Sequence, residues 1–199
     1  MKKIVLLFTF LLVVSGCYVQ SLNVFYTKDL VVSAPEILGE WDSVIQLGKD
    51  VRGMKVRPWK FGENTIETYD GENKFGELEV VYFKVGEDLF MDFTAGRMTE
   101  DKHYYPNIYW AAGVLPCHSL CRVDIKGNGL IITPLDYDWF VEKIEKNQLP
   151  LRYIKPNYSS SNYVFIADSS EWIKFLKKYS RDTSVFNPKR RFVFKRKGI

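Results

Sequence analysis

Apolar and polar positions alternate with a period close to two along much of this chain. The stretch Glu77-Leu78-Glu79-Val80-Val81-Tyr82-Phe83-Lys84-Val85 shows the pattern well, and it predicts a strand with one buried face. Strand-like runs at 51–61, 65–69, 75–85 and 88–94 are separated by Gly62-Glu63-Asn64, Asp70-Gly71-Glu72-Asn73 and Gly86-Glu87-Asp88, all clusters of turn-forming residues. An irregular segment at 95–108, with Gly96 and Pro106, predicts a longer loop, after which strand character returns at 108–115, 119–125 and 130–134. Lys126-Gly127-Asn128-Gly129 between the last two is a hairpin signal. Shorter runs at 151–154 and 163–167 flank a polar loop, and Arg191-Phe192-Val193-Phe194-Lys195-Arg196 ends the series with Phe192, Phe194 and Arg196 on one face. Many short strands joined by short turns predict an antiparallel meander or barrel.

The period changes to that of a helix twice. At about 136–146, Asp136 can cap the start, Phe140, Val141 and Ile144 share a face, and Asn147 and Pro150 stop the run. At about 169–179, Asp168 or Ser169 can cap, Trp172, Phe175, Leu176 and Tyr179 share a face, and lysines gather at the end where the helix dipole favours them. The expected fold is therefore mainly β, an antiparallel barrel carrying two short helices, the second of them packed on the barrel.

The first residues follow a different rule. Lys2-Lys3 precede an apolar run from Ile4 to Val14, which ends in Ser15-Gly16-Cys17. The run is shorter than the roughly 20 residues needed to span a bilayer. It resembles a bacterial lipoprotein signal peptide with its lipobox, Val14, Ser15, Gly16 and Cys17. The resemblance implies cleavage before Cys17, thioether-linked lipid and an acyl chain such as palmitate on that residue, and a domain held outside the cytoplasm on a bacterial membrane. Tyr18 stands where an aspartate would favour inner-membrane retention, so the outer membrane of the cell envelope is the expected address. The expected organisation is a signal peptide at 1–16, a lipidated N-terminus and tether at 17–36, and a barrel domain at 37–199.

Composition narrows the picture. The net charge of +4 includes Lys2 and Lys3 of the signal, so the balance of the domain is close to neutral and no nucleic-acid partner is expected. Aromatic residues make up 16% of the chain, which favours strands and supplies bulk for a barrel interior. Ile37-Leu38-Gly39-Glu40-Trp41 resembles the opening of the first strand in the lipocalin (calycin) group, whose glycine permits close backbone approach and whose tryptophan plugs the closed end of the barrel. That likeness implies an arginine near the end of the barrel stacked on the tryptophan. Arg196 is the candidate partner of Trp41, with Arg191 as competitor. The helix at 136–146 interrupts the simple barrel order.

Candidate chemistry is sparse. Leu115-Pro116-Cys117-His118-Ser119-Leu120-Cys121 places two cysteines and a histidine together, a set that zinc accepts. However, adjacent strand residues point to opposite faces, a fourth ligand is lacking, and the order is wrong for haem attachment. With Cys17 assigned to lipid, Cys117 and Cys121 are a candidate disulfide; on a straight strand they lie about 13 Å apart, so a bridge requires a bend. Asp136 and Asp138 are expected at the helix entry. Asp92, within Phe90-Met91-Asp92-Phe93, is expected opposite its apolar neighbours, toward solvent or a polar lumen. No catalytic residue, metal ligand or cofactor is nominated, and an enzyme is not expected. The basic residues Lys189-Arg190-Arg191 and Lys195-Arg196-Lys197 are expected on a solvated edge strand, the alternative being contact with anionic lipid head groups. Two readings follow: a membrane-anchored carrier of a small apolar or amphipathic ligand, or an envelope interaction module with a filled barrel and a protein partner that the sequence does not identify.

Overall fold

The computed structural model describes residues 19–46, 48–51, 58–70, 73–95, 117–155 and 163–198. The lipobox residues Val14, Ser15, Gly16 and Cys17 and the strand expected at 108–115 lie outside the described residues.

A closed antiparallel barrel of 8 strands dominates the molecule. In chain order the described strands are β1 (Gln20–Ser21), β2 (Gly39–Gln46), β3 (Lys49–Asp50), β4 (Trp59–Phe61), β5 (Thr65–Asp70), β6 (Asn73–Val85), β7 (Asp88–Ala95), β8 (Ser119–Lys126), β9 (Gly129–Pro134), β10 (Tyr153–Ile154), β11 (Val164–Phe165) and β12 (Phe192–Arg196). The helices are α1 (Tyr137–Glu145) and α2 (Ser169–Tyr179). The barrel runs β2-β4-β5-β6-β7-β8-β9-β12, and β12 closes it by pairing back onto β2; β3 is a short addition beside β2. This architecture is consistent with a calycin-like fold. Helix α1 does not break the barrel order, because the chain between β9 and β12 leaves the wall, builds an outer layer, and returns to the gap between β9 and β2.

Strand β12 is therefore an interior strand and not the expected edge. Its backbone is paired on both sides, with Phe194 opposite Leu130 on β9 and Ser43 on β2. Its flanking cations pair locally: Lys197 Nζ lies 2.7 Å from Glu40, and Arg190 pairs with Asp138. At the hairpin between β8 and β9, Gly127 takes a positive φ of 56° in a two-residue turn, a conformation that favours glycine.

Two apolar cores result from the pleat. Inward-facing residues such as Trp41, Phe61, Ile66, Val80, Met91, Leu130 and Phe194 fill the barrel. The opposite face of β6, β7 and β8 presents Phe83, Val85, Phe90 and Leu120 to α1, α2 and the N-terminal segment. Both helices are capped as their sequences suggest. The Asp136 side chain accepts from Trp139 N–H at the start of α1, and Asp168 and Glu171 form a reciprocal capping box on α2. The buried faces are Tyr137, Phe140 and Ile144 on α1, and Trp172, Phe175 and Leu176 on α2.

The segment from Val19 to Glu36, expected as part of a tether, is instead built into the fold: residues 19–30 join this outer layer, and Val32 and Ala34 pack on the barrel core. Val19 and Phe25 are buried, and β1 joins β11 and β10 in a small separate sheet. Asn23 donates to the carbonyls of Ile166 and Ala167, and the Ser169 hydroxyl donates to Val24 O. The reason is compositional: Val19, Phe25 and Tyr26 are apolar enough to cover the exposed outer wall of β6 and β7, whereas a solvated tether gains nothing from them.

Candidate functional site

Gly39, Trp41 and Arg196 meet at one end of the barrel. Trp41 is fully buried, donates its indole N–H to Ile37 O at 2.6 Å, and lies directly across from Arg196 in the β2–β12 ladder. The Arg196 guanidinium sits 4.3 Å from the Trp41 ring centroid and donates to the carbonyls of Leu38 and Glu36. Gly39 has φ of 114°, and a methyl group there would stand 3.6 Å from Arg196 Nη1. The glycine is thus favoured by backbone conformation and not by space, since 3.6 Å is an ordinary van der Waals contact. Arg191, the competing arginine, precedes β12 and takes no part in this stack.

Above this floor the barrel wall is aromatic. Trp59, directly across from Trp41 on β4, has its ring 5.3 Å from Phe194 and 5.6 Å from Phe192, and Phe61 meets Phe194 edge to face. Several polar atoms interrupt the apolar surface. Ser43 Oγ, Trp59 Nε1 and Tyr82 OH are buried without a hydrogen-bond partner. Burial pushes the Tyr82 phenol well above its ordinary value, so it is a neutral hydroxyl throughout the physiological range. Above Trp41, the inward-facing side chains that the structure describes include none with a charge.

Cys121 faces this interior beside Met91, and its burial raises its pKa strongly. Cys117, half-buried, is raised for the same reason. Both are free thiols. The chain from Cys117 through His118 into β8 runs extended, without the bend that a disulfide between these positions needs, and raised pKa values disfavour the nucleophilic thiolate.

The outer wall holds one polar centre that sequence reasoning placed differently. Asp92 is 2% exposed: it points away from the lumen, as alternation requires, but into the layer beneath the N-terminal segment and not into solvent. Its Oδ2 accepts from Phe25 N–H at 3.0 Å, and its Oδ1 lies 2.9 Å from His118 Nδ1. His118 is further tied by an antiparallel bridge to Ser21. The hydrogen bond to Asp92 raises the His118 pKa, partly opposed by burial, and against the carboxylate Nδ1 takes the donor role. The pair lines a groove of ≈ 340 Å³ with Tyr26, Asn64, Thr65, Glu79 and Thr94. An aspartate alternating into an otherwise apolar strand was the one available signal for this centre; its partner is distant in sequence and has no local signature. Among the described residues, no group of three His, Cys, Asp or Glu side chains could hold a metal ion.

Comparison with protein-family models, with curated proteins and with solved structures finds no match. The barrel and its geometry therefore carry the functional argument.

Proposed function

We propose that this chain is a lipid-anchored protein of the bacterial cell envelope whose lipocalin-like barrel binds or carries a small apolar or amphipathic molecule. The observation that supports the reading most directly is the closed barrel, whose described inward-facing residues above the Trp41 floor are largely aromatic or aliphatic and carry no charge. The lipobox pattern at Val14 to Cys17 supports the anchor and the address on the outer membrane. Several acyl chains on Cys17, each methylene contributing about 0.8 kcal/mol, would hold the domain stably at the surface. Among the described residues no helix is long and apolar enough to cross a membrane. The role is one of binding, without catalysis.

Two measurements test it. Replacing Cys17 with alanine is expected to move the protein from the membrane fraction to the soluble fraction; unchanged fractionation, with an unlipidated mature N-terminus, refutes the anchor. Native mass spectrometry of detergent-free protein, followed by organic extraction, is expected to find a small molecule retained in the barrel. A mass matching the polypeptide and its lipid alone, with no uptake of added apolar compounds, would favour the second reading, an envelope interaction module. That alternative draws support from the tight filling of the lower barrel, floor and adjoining wall together, where Trp41, Ile66, Leu130 and Phe194 are all 0% exposed.

A further inference from the structure

We infer that the barrel accepts a neutral amphiphile that presents a hydrogen-bond acceptor, such as an ester, amide or alcohol, to Trp59 Nε1 and Ser43 Oγ, and that it discriminates against ionised acids. The inference rests on the carrier reading above and names the ligand class for that same interior.

Two orphaned polar atoms on one wall carry the argument. Ser43 faces inward on β2, two residues beyond Trp41 and directly across from Phe194 on β12. Trp59 starts on β4, on the other side of β2, and its indole reaches the rings of both Phe192 and Phe194. The indole and these rings, which start on opposite sides of β2, therefore meet on the lumen side of the wall that carries Ser43. Among the described residues neither Trp59 Nε1 nor Ser43 Oγ has a partner, although both atoms are buried. An indole N–H can only donate, so the missing partner at Trp59 is an acceptor. A buried donor with no acceptor is costly, and a sheet interior rich in phenylalanine has ample means of avoiding one; a tryptophan here is explained if a bound molecule supplies the acceptor.

The rest of the lining decides the charge of that molecule. The surroundings of the two donors are Phe61, Phe192 and Phe194, which suit an apolar body. A carboxylate brought into this wall would lose its hydration, and above the floor it meets no cation among the described inward-facing residues. The Arg196 guanidinium lies at the floor against Trp41, with two of its nitrogens committed to backbone carbonyls. Tyr82 OH, the third orphan of the interior, belongs to the β6 wall near Ala34 and Leu38 and is not part of this site.

The test uses the full-length chain and the neutral dye N-phenyl-1-naphthylamine, displaced by methyl decanoate or by decanoate at pH 8. The dye is expected to bind. Methyl decanoate is expected to displace it at about tenfold lower concentration than decanoate, a difference corresponding to about 1.4 kcal/mol. Trp59→Phe keeps the aromatic volume and removes the donor; Ser43→Ala removes the hydroxyl. Each is expected to weaken methyl decanoate about three- to tenfold relative to the parent, with displacement referred to each variant's own dye affinity, and an unchanged cooperative urea-unfolding transition shows that the variants are folded. Decanoate displacing the dye as well as its ester does, or both variants binding the ester like the parent, overturns the inference and leaves the carrier reading standing. Failure of the dye and of both competitors to bind at all would sink the carrier reading itself.

Discussion

Asp92 shows how a single side chain links two parts of the structure that are far apart in sequence. Its carboxylate joins the N-terminal segment, through Phe25 N–H, to the start of β8, through His118. Replacing it with asparagine keeps the shape and removes the charge, leaving His118 without its anionic partner. We expect Asp92→Asn to cost about 2 kcal/mol in urea unfolding at pH 6. The pH dependence has a definite sign. The folded state raises the His118 pKa above its ordinary 6.5, so the stabilisation is fully present below about pH 6.5 and is lost as pH rises through the folded value. The parent should therefore lose this contribution as pH rises above 6.5, and the variant should lack that part of the slope. An NMR titration that finds the same His118 pKa in both proteins would contradict the account. Asp92 also marks the limit of local reading: alternation correctly turns it away from the lumen, but whether that outer face meets water or another layer depends on residues 67 positions earlier.

At the scale of elements, the two helices were legible because their signals are local. Cap, apolar face and stop all lie within a dozen residues, and each helix buries the face its spacing predicts. The two N-caps are not equivalent, however. Asp136 is 5% exposed and, besides capping α1, accepts from Asn187 Nδ2 at 2.8 Å, which ties the helix to the turn leading into β12. Asp168 is exposed and serves mainly its own helix. Asp136→Ala should cost about 2 kcal/mol in thermal or urea unfolding, and Asp168→Ala distinctly less. Equal losses would show that the link to Asn187 adds nothing. The short strands β1, β10 and β11 were much harder to place. Two-residue ladders have too little length for a periodic signal, and β1 was hidden in a stretch expected to be a tether.

For the whole molecule, closure depends on the last strand. β12 pairs with β2, the first strand of the barrel, so the wall cannot close until the C-terminus is in place. A chain ending after Arg191 should leave β2 and β9 as open edges and lose both Phe194 and the Arg196 stack on Trp41. We expect it to lack the near-ultraviolet circular dichroism of a packed aromatic core and to aggregate; a cooperative unfolding transition in that truncated chain would show that closure is dispensable. The amino-acid sequence by itself determined the strand-rich character, the hairpins, both helices and their caps, and the likeness of Gly39, Trp41 and Arg196 to a calycin floor, because each depends on periodicity, turn chemistry or a short motif. Only the tertiary structure decided that residues 19–30 form part of the outer layer, that Cys117 and Cys121 remain separate thiols, that β12 is interior, and that Asp92 finds His118. It alone also brought Trp59 against Phe192 and Phe194 on the lumen side of the wall that carries Ser43. These outcomes depend on which faces of distant segments meet, and a period of two specifies that a face is apolar without specifying what will cover it.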